Sequence, residues 1–437
     1  MPAGTTYDDL SGLPGPTGAV IATWRAESAR LVGALTRMTR DVDLAEDLAQ
    51  DALVAALEQW PESGIPDNPS AWLMTTAKRR GVDHFRRAET LRRKVAELEH
   101  DLERDGGEEA PVPDLDDQVD HIEDDVLRLM FLSCHPSLSP ESRAALTLRL
   151  VGGLTTAEIA RAFLTSEATM GQRISRAKKT LTAARVELEL PTGEERAARL
   201  DDVMAVVYLI FNEGYTVTMG DDWMRPDLVA EATRLARMLA DLAPEEPEVL
   251  GLQALLELQG SRTAARLSPD GTPVLLEEQD RSLWDQLAIR RGLAALRAAS
   301  HVAAGGRPVG RYFLQASIAA QHARAARAED TDWAGIAALY DVLGQAAPGP
   351  VVEVNRAVAH GRAHGAVAGL AVLDAVAPAA LGGSPLLPSV RGDLLERAGQ
   401  HGEAASAFDE AAALTRNEGE RRVLLRRAEE CRRHSDG

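Results

Sequence analysis

Apolar residues recur along most of this chain with the three-to-four-residue spacing of amphipathic α-helices. The pattern begins after the segment "SGLPGPTG", runs to about residue 95 with a break at "WPESGIPDNP", and resumes near residue 122. Aromatic residues make up only 4% of the chain, while Ala, Leu, Glu and Arg dominate, which favours helices over β-sandwiches. We therefore expect an all-α protein.

Breaks in the pattern divide the 437 residues into three helical modules and one linker. The first module covers 18–95 and the second 122–188. Between them, residues 96–121 contain "LERDGGEEAPVPDLDDQVD", which is acidic and has too few apolar residues to pack. This segment is predicted to be a flexible acidic linker. The third module, 196–437, consists of Ala/Leu-rich stretches separated by Gly and Pro.

The third module contains one clear internal repeat, "LPSVRGDLLERAGQHGEAASAFDEAAALTR". Six of its residues fall where a tetratricopeptide (TPR) repeat places its packing residues: Gly392, Leu395, Gly399, Ala404, Phe408 and Ala411. The segments "PEVLGLQALLELQG" and "VEVNRAVAHGRAHGAVAGLAVLDAV" look like weaker copies. The module is predicted to be a TPR-like α-helical array.

The segment "LTTAEIARAFLTSEATMGQRISRAKKTL" predicts a helix-turn-helix. Thr155 and Glu158 form a capping box that starts a short helix. A second helix follows Ser166, its predicted N-cap. Its predicted buried stripe consists of Met170, Ile174, Ala177 and Leu181.

The opposite face of that second helix is predicted to contact duplex DNA. Its polar and basic residues are Gln172, Arg173, Ser175, Arg176, Lys178 and Lys179. Gln and Arg can form bidentate hydrogen bonds with base edges in a major groove, while Lys and neighbouring Arg neutralise phosphates. The alternative is a surface helical hairpin with a solvated basic face.

Two helices of the first module carry opposite charges. The helix "DLAEDLAQDALVAALEQWP", predicted to start at Asp43 with Glu46 in a capping-box position, has an acidic face with Asp47, Gln50 and Asp51. This face suits a basic partner surface, although a plain solvated face is the alternative.

The next helix, "NPSAWLMTTAKRRGVDHFRRAETLRRK", is predicted to begin with Asn68 as its cap and Pro69 at its first position. Its predicted nucleic-acid contacts are Lys78, Arg79, Arg80, His84, Arg86 and Arg87. Such density suits a nucleic-acid backbone with stacking on exposed bases. Trp72 and Phe85 are more often core residues than stacking platforms.

In this order, "AEDLAQDA", "NPSAWLMTTAKRRGVDHFRR" and "GLTTAEIARAF…EATMGQRISRAKKTL" resemble a bacterial sigma factor of the extracytoplasmic-function type. The resemblance covers about residues 18–188 and implies a region 2 helical bundle, an acidic linker and a region 4 helix-turn-helix. The longer C-terminal part, including "YLIFNEGYTVT", resembles the subgroup that carries a TPR-like C-terminal extension.

The resemblance implies two partners, core RNA polymerase and promoter DNA. Asp47, Gln50 and Asp51 would dock the β′ clamp helices, and the β flap would be a second polymerase contact. The basic stretch 78–87 would lie on the melting −10 element, and the second helix of the helix-turn-helix would face the −35 major groove. The linker would either lie in the positively charged channel that later carries RNA or act as a simple tether.

The extension contains one further motif, in "YLIFNEGYTVT". Asn212, Glu213 and Gly214 are predicted to end an apolar helix, with the glycine supplying a positive φ. Alternatively, Glu213 and Tyr215 line a groove that holds a ligand or fastens the extension onto region 4. The extension is expected to have a protein or a small ligand as its partner.

Composition limits the other functional classes. The net charge of −19 argues against coating of DNA by bulk positive charge, so contacts with DNA must come from local basic patches.

Cys134 and Cys431 suggest neither a metal cluster nor a disulfide framework. No P-loop, nucleophile elbow or zinc pattern occurs, so we expect a non-enzyme without cofactor or metal. The start of the chain lacks the pattern of a signal peptide, which predicts a cytoplasmic protein that does not bind membranes.

The leading hypothesis is a sigma factor that directs core polymerase to specific promoters and carries a regulatory helical extension. The main alternative is a conventional helix-turn-helix regulator with a TPR-like sensor or partner-binding domain. A TPR scaffold with an incidental basic helix is a third reading. The "AEDLAQDA" helix separates the first two, because only a sigma factor needs a surface for docking to polymerase.

Overall fold

The computed structural model describes 16–100, 122–163, 165–184, 186, 191–215, 224–268, 273–376, 381 and 383–435. Over these ranges the chain forms α-helices joined by turns and short 3₁₀ segments, with no β-strand. The predicted all-α fold is confirmed. By compactness the chain divides into two units, Met1–Val206 and Val207–Gly437.

The first unit contains seven helices within the described ranges and the start of an eighth. They are α1 (Pro16–Thr39), α2 (Val42–Ser63), α3 (Pro69–His100), α4 (Ile122–Ser133), α5 (Pro140–Leu150), α6 (Thr156–Ala162), α7 (Glu167–Ala183) and α8 (Gly193–Tyr215). Helix α1 packs against α2, α3 and α4, while α7 packs against α5 and α6.

The second unit continues α8 with a chain of helices packed largely on their sequence neighbours. They are α9 (Pro226–Leu242), α10 (Pro247–Gly260), α11 (Gln286–Ala304), α12 (Arg311–Arg324), α13 (Trp333–Ala346), α14 (Pro350–His364), α15 (Ala366–Asp374), α16 (Leu386–Arg397), α17 (His401–Leu414) and α18 (Glu418–Ser435). Single 3₁₀ turns occur at Thr263–Ala265, Arg281–Leu283 and Ala328–Asp330.

Local sequence signals set several helix ends. Helix α3 begins at Pro69, as predicted, and the side chain of Asn68 accepts a hydrogen bond from the N–H of Ala71 at 3.0 Å. The predicted start of α2 at Asp43 is wrong by one residue, because Asp41 is the N-cap and accepts hydrogen bonds from the N–H groups of Asp43 and Leu44.

A buried carboxylate ties α4 to α1. Asp125 is fully buried and pairs with Arg37 of α1 at 2.9 Å and with Arg128 of its own helix at 3.0 Å. A Cβ on Gly33 would lie 2.9 Å from the carbonyl oxygen of Asp125, so the glycine permits the two helices to approach closely. A buried charge of this kind persists because it is paired and hydrogen-bonded.

The predicted module limits differ in two places from the structural division. Residues 96–100 of the predicted linker belong to α3, and its remainder, 101–121, lies outside the described residues. Residues 193–206 of α8 belong to the first unit, where Arg199 donates to the carbonyl oxygen of Phe131 at 2.6 Å and Asp202 pairs with Arg143 at 2.9 Å. The limits 18–95, 122–188 and 196–437 stay predictions.

The repeat predicted near the C-terminus forms the helix pair α16 and α17. Phe408 of α17 is completely buried, and a Cβ on Gly392 of α16 would lie 2.6 Å from its ring. Ala404 and Ala411 are also fully buried, and Gly399 turns the chain between the helices with a φ of 77°. The helical extension thus has TPR-like packing at these positions.

Truncation of Phe408 tests this packing. We expect Phe408→Ala to lower the free energy of opening of α16–α18 by about 3–5 kcal/mol, because it removes a fully buried ring next to a position that cannot fill the space. Native-state hydrogen exchange measured by mass spectrometry reports this quantity. Glu410→Ala, at an exposed site on the same helix, should change it by less than about 0.5 kcal/mol. Equal exchange in both variants would contradict the assigned packing.

Candidate nucleic-acid and partner interfaces

The predicted helix-turn-helix consists of α6 and α7. The capping box is present: the Thr155 hydroxyl accepts from the N–H of Glu158, and the Glu158 carboxylate accepts from the N–H of Thr155 at 2.7 Å. Ser166 caps α7, as predicted. The predicted stripe of α7 is buried at all four positions, Met170, Ile174, Ala177 and Leu181.

The opposite face of α7 is only partly open. Gln172, Ser175, Arg176 and Lys179 are exposed, and Arg173 is half-buried. The expectation that Lys178 points outward with them is wrong, because its side chain is only 13% exposed. Four of the six side chains predicted to contact DNA are therefore exposed in this arrangement.

Lys178 contacts the acidic helix of the first module. Its ammonium group lies 2.6 Å from Glu46 and 2.7 Å from Asp43, both on α2. Burial acts to lower the pKa of Lys178, but the attraction of Glu46 and hydrogen bonds with Asp43 and Glu46 raise the pKa overall. Lys178 and Glu46 are 132 residues apart in the sequence, so this ion pair joins two helices that are distant along the chain.

Glu46 is the centre of this contact. Its carboxylate is 7% exposed and also accepts from the Arg149 guanidinium of α5 at 2.5 Å and from the amide of Gln50 at 2.9 Å. Nearby, the Trp24 indole donates to the carbonyl oxygen of Gly153 at 3.3 Å, and Arg25 lies 3.6 Å from Glu158. Ion pairs thus join α2 to α5 and α7, and α1 to α6, within the first unit.

The acidic face of α2 remains partly accessible. Asp47 and Asp51 are exposed, and Gln50 is half-buried. Neighbouring residues shield the Asp47 carboxylate from part of its water, and this desolvation raises its pKa. The charge of Lys178 acts to lower the pKa, whereas the charges of Glu46 and Asp43 act to raise it. Asp51 lies 3.1 Å from Arg80 of α3.

The basic face of α3 is largely open. Arg79, His84, Arg86 and Arg87 are exposed, while Lys78 and Arg80 are half-buried. The two aromatic side chains of this helix behave differently. Trp72 packs edge-to-face on the buried ring of Trp60, with ring centroids 5.5 Å apart, as a core residue does. Phe85 is half-buried, and its ring lies edge-to-face with the ring of His84, with centroids 5.9 Å apart.

The extension motif lies at the end of α8. Gly214 is within the helix and has no positive φ, so the predicted role as a C-cap is wrong. A Cβ there would lie 2.7 Å from the Cβ of Leu228 and 2.8 Å from the N of Val229, so the glycine lets the start of α9 approach. Asn212 is exposed and Glu213 is half-buried.

Tyr215, the last residue of the motif, is the centre of an aromatic and cationic cluster. Its ring stacks on Phe211 with centroids 5.1 Å apart, its hydroxyl accepts from Arg262 at 2.7 Å, and the guanidinium of Arg266 lies 3.5 Å from its ring centroid. The motif therefore contacts other residues of the extension.

The described residues offer few other reactive groups. They contain no cluster of three or more His, Cys, Asp or Glu side chains that could hold a metal ion. Burial raises the pKa of the Cys134 thiol to about 11, which keeps it protonated beside Thr147. None of the helices described is both long and apolar enough to cross a membrane.

Sequence reasoning missed Glu46, Arg149 and Lys178 as a cluster. The sequence predicts a capping-box position for Glu46, whereas Asp41 is the N-cap of α2. Lys178 has the same local environment in sequence as the exposed Lys179. The one available signal is the helical spacing of Glu46 from Ala49 and Leu53, which places it on the buried side of α2. Such a carboxylate needs a partner.

Three segments of the chain match family models of known proteins. Residues 23–90 match the family model of sigma-70 region 2 and residues 128–181 that of sigma-70 region 4. Residues 199–300 match a family of unknown function (DUF6596).

Three relatives illustrate the relationship. An uncharacterized protein, R00370 of Rhizobium meliloti (strain 1021), is 44% identical over 396 residues, which are 89% of this chain and 90% of the relative. The probable ECF RNA polymerase sigma factor SigI of Mycobacterium tuberculosis is 29% identical over 40% of this chain and 59% of its own length. The ECF RNA polymerase sigma factor SigK of Mycobacterium sp. (strain KMS) is 30% identical over 36% of this chain and 77% of its own length.

Sigma-70 region 2 thus covers α2 and most of α3, sigma-70 region 4 covers α6 and most of α7, and the match spans 77% of SigK. The chain belongs to the extracytoplasmic-function (ECF) family of RNA polymerase sigma factors.

Proposed function

We propose that this sigma factor directs core RNA polymerase to its promoters through three surfaces of the first unit. The acidic face of α2 binds the polymerase clamp, the basic face of α3 contacts the −10 element, and α7 recognises the −35 element. The observation that carries the proposal is the helix-turn-helix itself, in which a fully buried stripe leaves Gln172, Ser175 and Arg176 together on the open face.

The α2 surface supports docking through charge. Asp47 and Asp51 are exposed one turn apart, and Gln50 lies between them. Acids placed in this way suit the basic side chains of a partner helix, and complementary charge gives specificity and speed of association. The proposed partner surface is the pair of β′ clamp helices, and the β flap is the proposed contact of region 4.

The α3 surface supports contact with the −10 element. Exposed Arg79, Arg86 and Arg87 can neutralise phosphates, and His84 with Phe85 offers rings at the rim for an unstacked base. Trp72 instead packs edge-to-face on the buried ring of Trp60.

The proposed function requires the first unit to open. Elements centred on −10 and −35 lie about 25 base pairs apart, which is roughly 85 Å of B-form DNA at about 3.4 Å per pair. Lys178 of α7 nevertheless lies 2.6 Å from Glu46 of α2. Helices α3 and α7 cannot engage both elements while this contact persists. We therefore assign the observed arrangement to a closed state that precedes promoter binding.

Reversal of charge at Asp47 tests the docking surface. Asp47→Lys should abolish co-purification with core polymerase and run-off transcription, because it places a cation among the groups that meet a basic partner. The added repulsion with Lys178 favours the open state, so closure cannot account for a loss of binding.

Asp67→Lys is the matched control, since it changes an exposed acid in the connection between α2 and α3 by the same charge. It should bind core polymerase like the unchanged chain. Unaltered co-purification and transcription by Asp47→Lys would reject this docking surface.

Substitutions on α7 test promoter recognition. Arg176→Ala should weaken the preference of the holoenzyme for one −35 sequence by about 1–3 kcal/mol, as expected for the loss of one base contact. Lys179→Ala should weaken binding to all duplexes alike and reduce the salt slope by about one. The measurement is promoter binding by holoenzyme over a series of salt concentrations.

The two variants are controls for each other, because both remove one exposed cation from the same helix. An intact −35 preference in Arg176→Ala would show that α7 does not recognise bases through this residue.

A further inference from the structure

A cavity of about 290 Å³ lies within the second unit, between α8, α10, α12, α13 and α14. This volume is at the lower end of the size range of small-molecule sites in proteins. Part of its wall lies in the segment that matches a family of unknown function, and part lies beyond it.

One wall of the cavity is apolar. Leu258 of α10, Ile318 of α12 and Leu343 of α13 are all buried and line this wall. Val352 of α14 continues it. These side chains can remove an apolar body from water, which favours binding.

The cavity has a single charged lining residue among those described, Arg262. No acidic side chain lines the cavity within the described residues. The hydrogen bond of Arg262 with the hydroxyl of Tyr215 occupies one of the five N–H donors of the guanidinium. The remaining donors suit a carboxylate or a phosphate, which a guanidinium can bind through two parallel hydrogen bonds.

Tyr215 is a positioning residue for Arg262. Its ring stacks on Phe211 and contacts the guanidinium of Arg266, and these contacts restrict the movement of its hydroxyl. Arg262 also lies 5.9 Å from the ring centroid of Trp284. The arginine is thus pre-organised before any ligand binds.

The other polar lining groups are neutral. Burial and the nearby charges of Arg262 and Arg281 lower the pKa of His322 to about 3, and burial raises the pKa of Tyr340 to about 12. At neutral pH both side chains are therefore uncharged. The positive charge of Arg262 is not offset within the described lining.

Residues with unused hydrogen-bonding groups also line the cavity. The indole N–H of Trp284 has no partner, although the residue is only 3% exposed. The side chain of Asn355 makes no hydrogen bond with any described residue, and Gln315 uses only its carbonyl oxygen, which accepts from Tyr208 at 3.2 Å. A buried donor left unpaired costs free energy that a bound acceptor would recover.

We propose that this cavity is a binding site for a small organic acid, whose anionic group pairs with Arg262 and whose apolar body packs on Leu258, Ile318 and Leu343. The site gives the extension a ligand-sensing role separate from promoter recognition.

Ligand-observed NMR on the full chain tests the site. The probes are octanoate, benzoate and phenyl phosphate, each compared with a neutral analogue of the same body, octanamide, benzamide or phenol. At least one acid should bind with a Kd below about 1 mM, and its neutral analogue should bind at least about tenfold more weakly. The carboxylate and phosphate arms distinguish the two classes of anionic group.

Two variants address the charge and the volume separately. Arg262→Gln should lower the affinity for the bound acid about tenfold or more, because a charged hydrogen-bond partner is lost. Ala319→Phe, which fills the cavity from α12, should abolish binding while leaving Arg262 in place. Arg297→Gln removes the charge of an exposed arginine on α11 and should bind the acid like the unchanged chain.

Three results would overturn the proposal: no acid binds at about 1 mM, the neutral analogues bind as tightly as the acids, or the substitutions leave affinity unchanged. If Arg262→Gln does not fold, Ala319→Phe alone decides. Continued binding in that variant would place the acid outside the cavity.

Discussion

The buried carboxylate of Glu46 is the constraint on which the arrangement of the first unit depends. It is 7% exposed and lies within 2.6 Å of cations from two other helices, Arg149 of α5 and Lys178 of α7. An ionised carboxylate in such a place is costly unless it is paired, and removal of its partners leaves an uncompensated charge. Helices α5 and α7 can therefore leave α2 only if water or another cation reaches Glu46.

The pairing of Glu46 links the proposed polymerase-docking surface of α2 to the proposed DNA-recognition surface of α7. Asp47 lies next to Glu46 in sequence, and the charge of Lys178 acts on both. Basic groups of a partner docked on α2 would compete with Lys178 for these acids, so docking and the release of α7 become one equilibrium. A ligand can shift such an equilibrium only through its different affinity for the two states. In this account, core polymerase is the ligand that favours the open state.

Local patterns explain what the sequence could predict. The Thr155 capping box, the Asn68 cap and the buried stripe of α7 each depend on residues within one or two helical turns, and all three are confirmed. Lys178 and Glu46 are 132 residues apart, and no periodicity distinguishes Lys178 from its neighbour Lys179. Gly214 likewise permits the close approach of α9, and the local sequence of its own helix does not predict that contact. The cavity was beyond prediction for the same reason, since five helices form it.

Fluorescence energy transfer between Gln59 of α2 and Thr180 of α7, both exposed and replaced by labelled cysteines, tests the central claim most directly. The free chain should show high transfer, and core polymerase should lower it as α7 leaves α2. Glu46→Gln should lower transfer in the free chain, because it weakens both ion pairs, whereas Glu58→Gln at an exposed site of α2 should not. Transfer that stays high with polymerase bound and in Glu46→Gln would contradict the account.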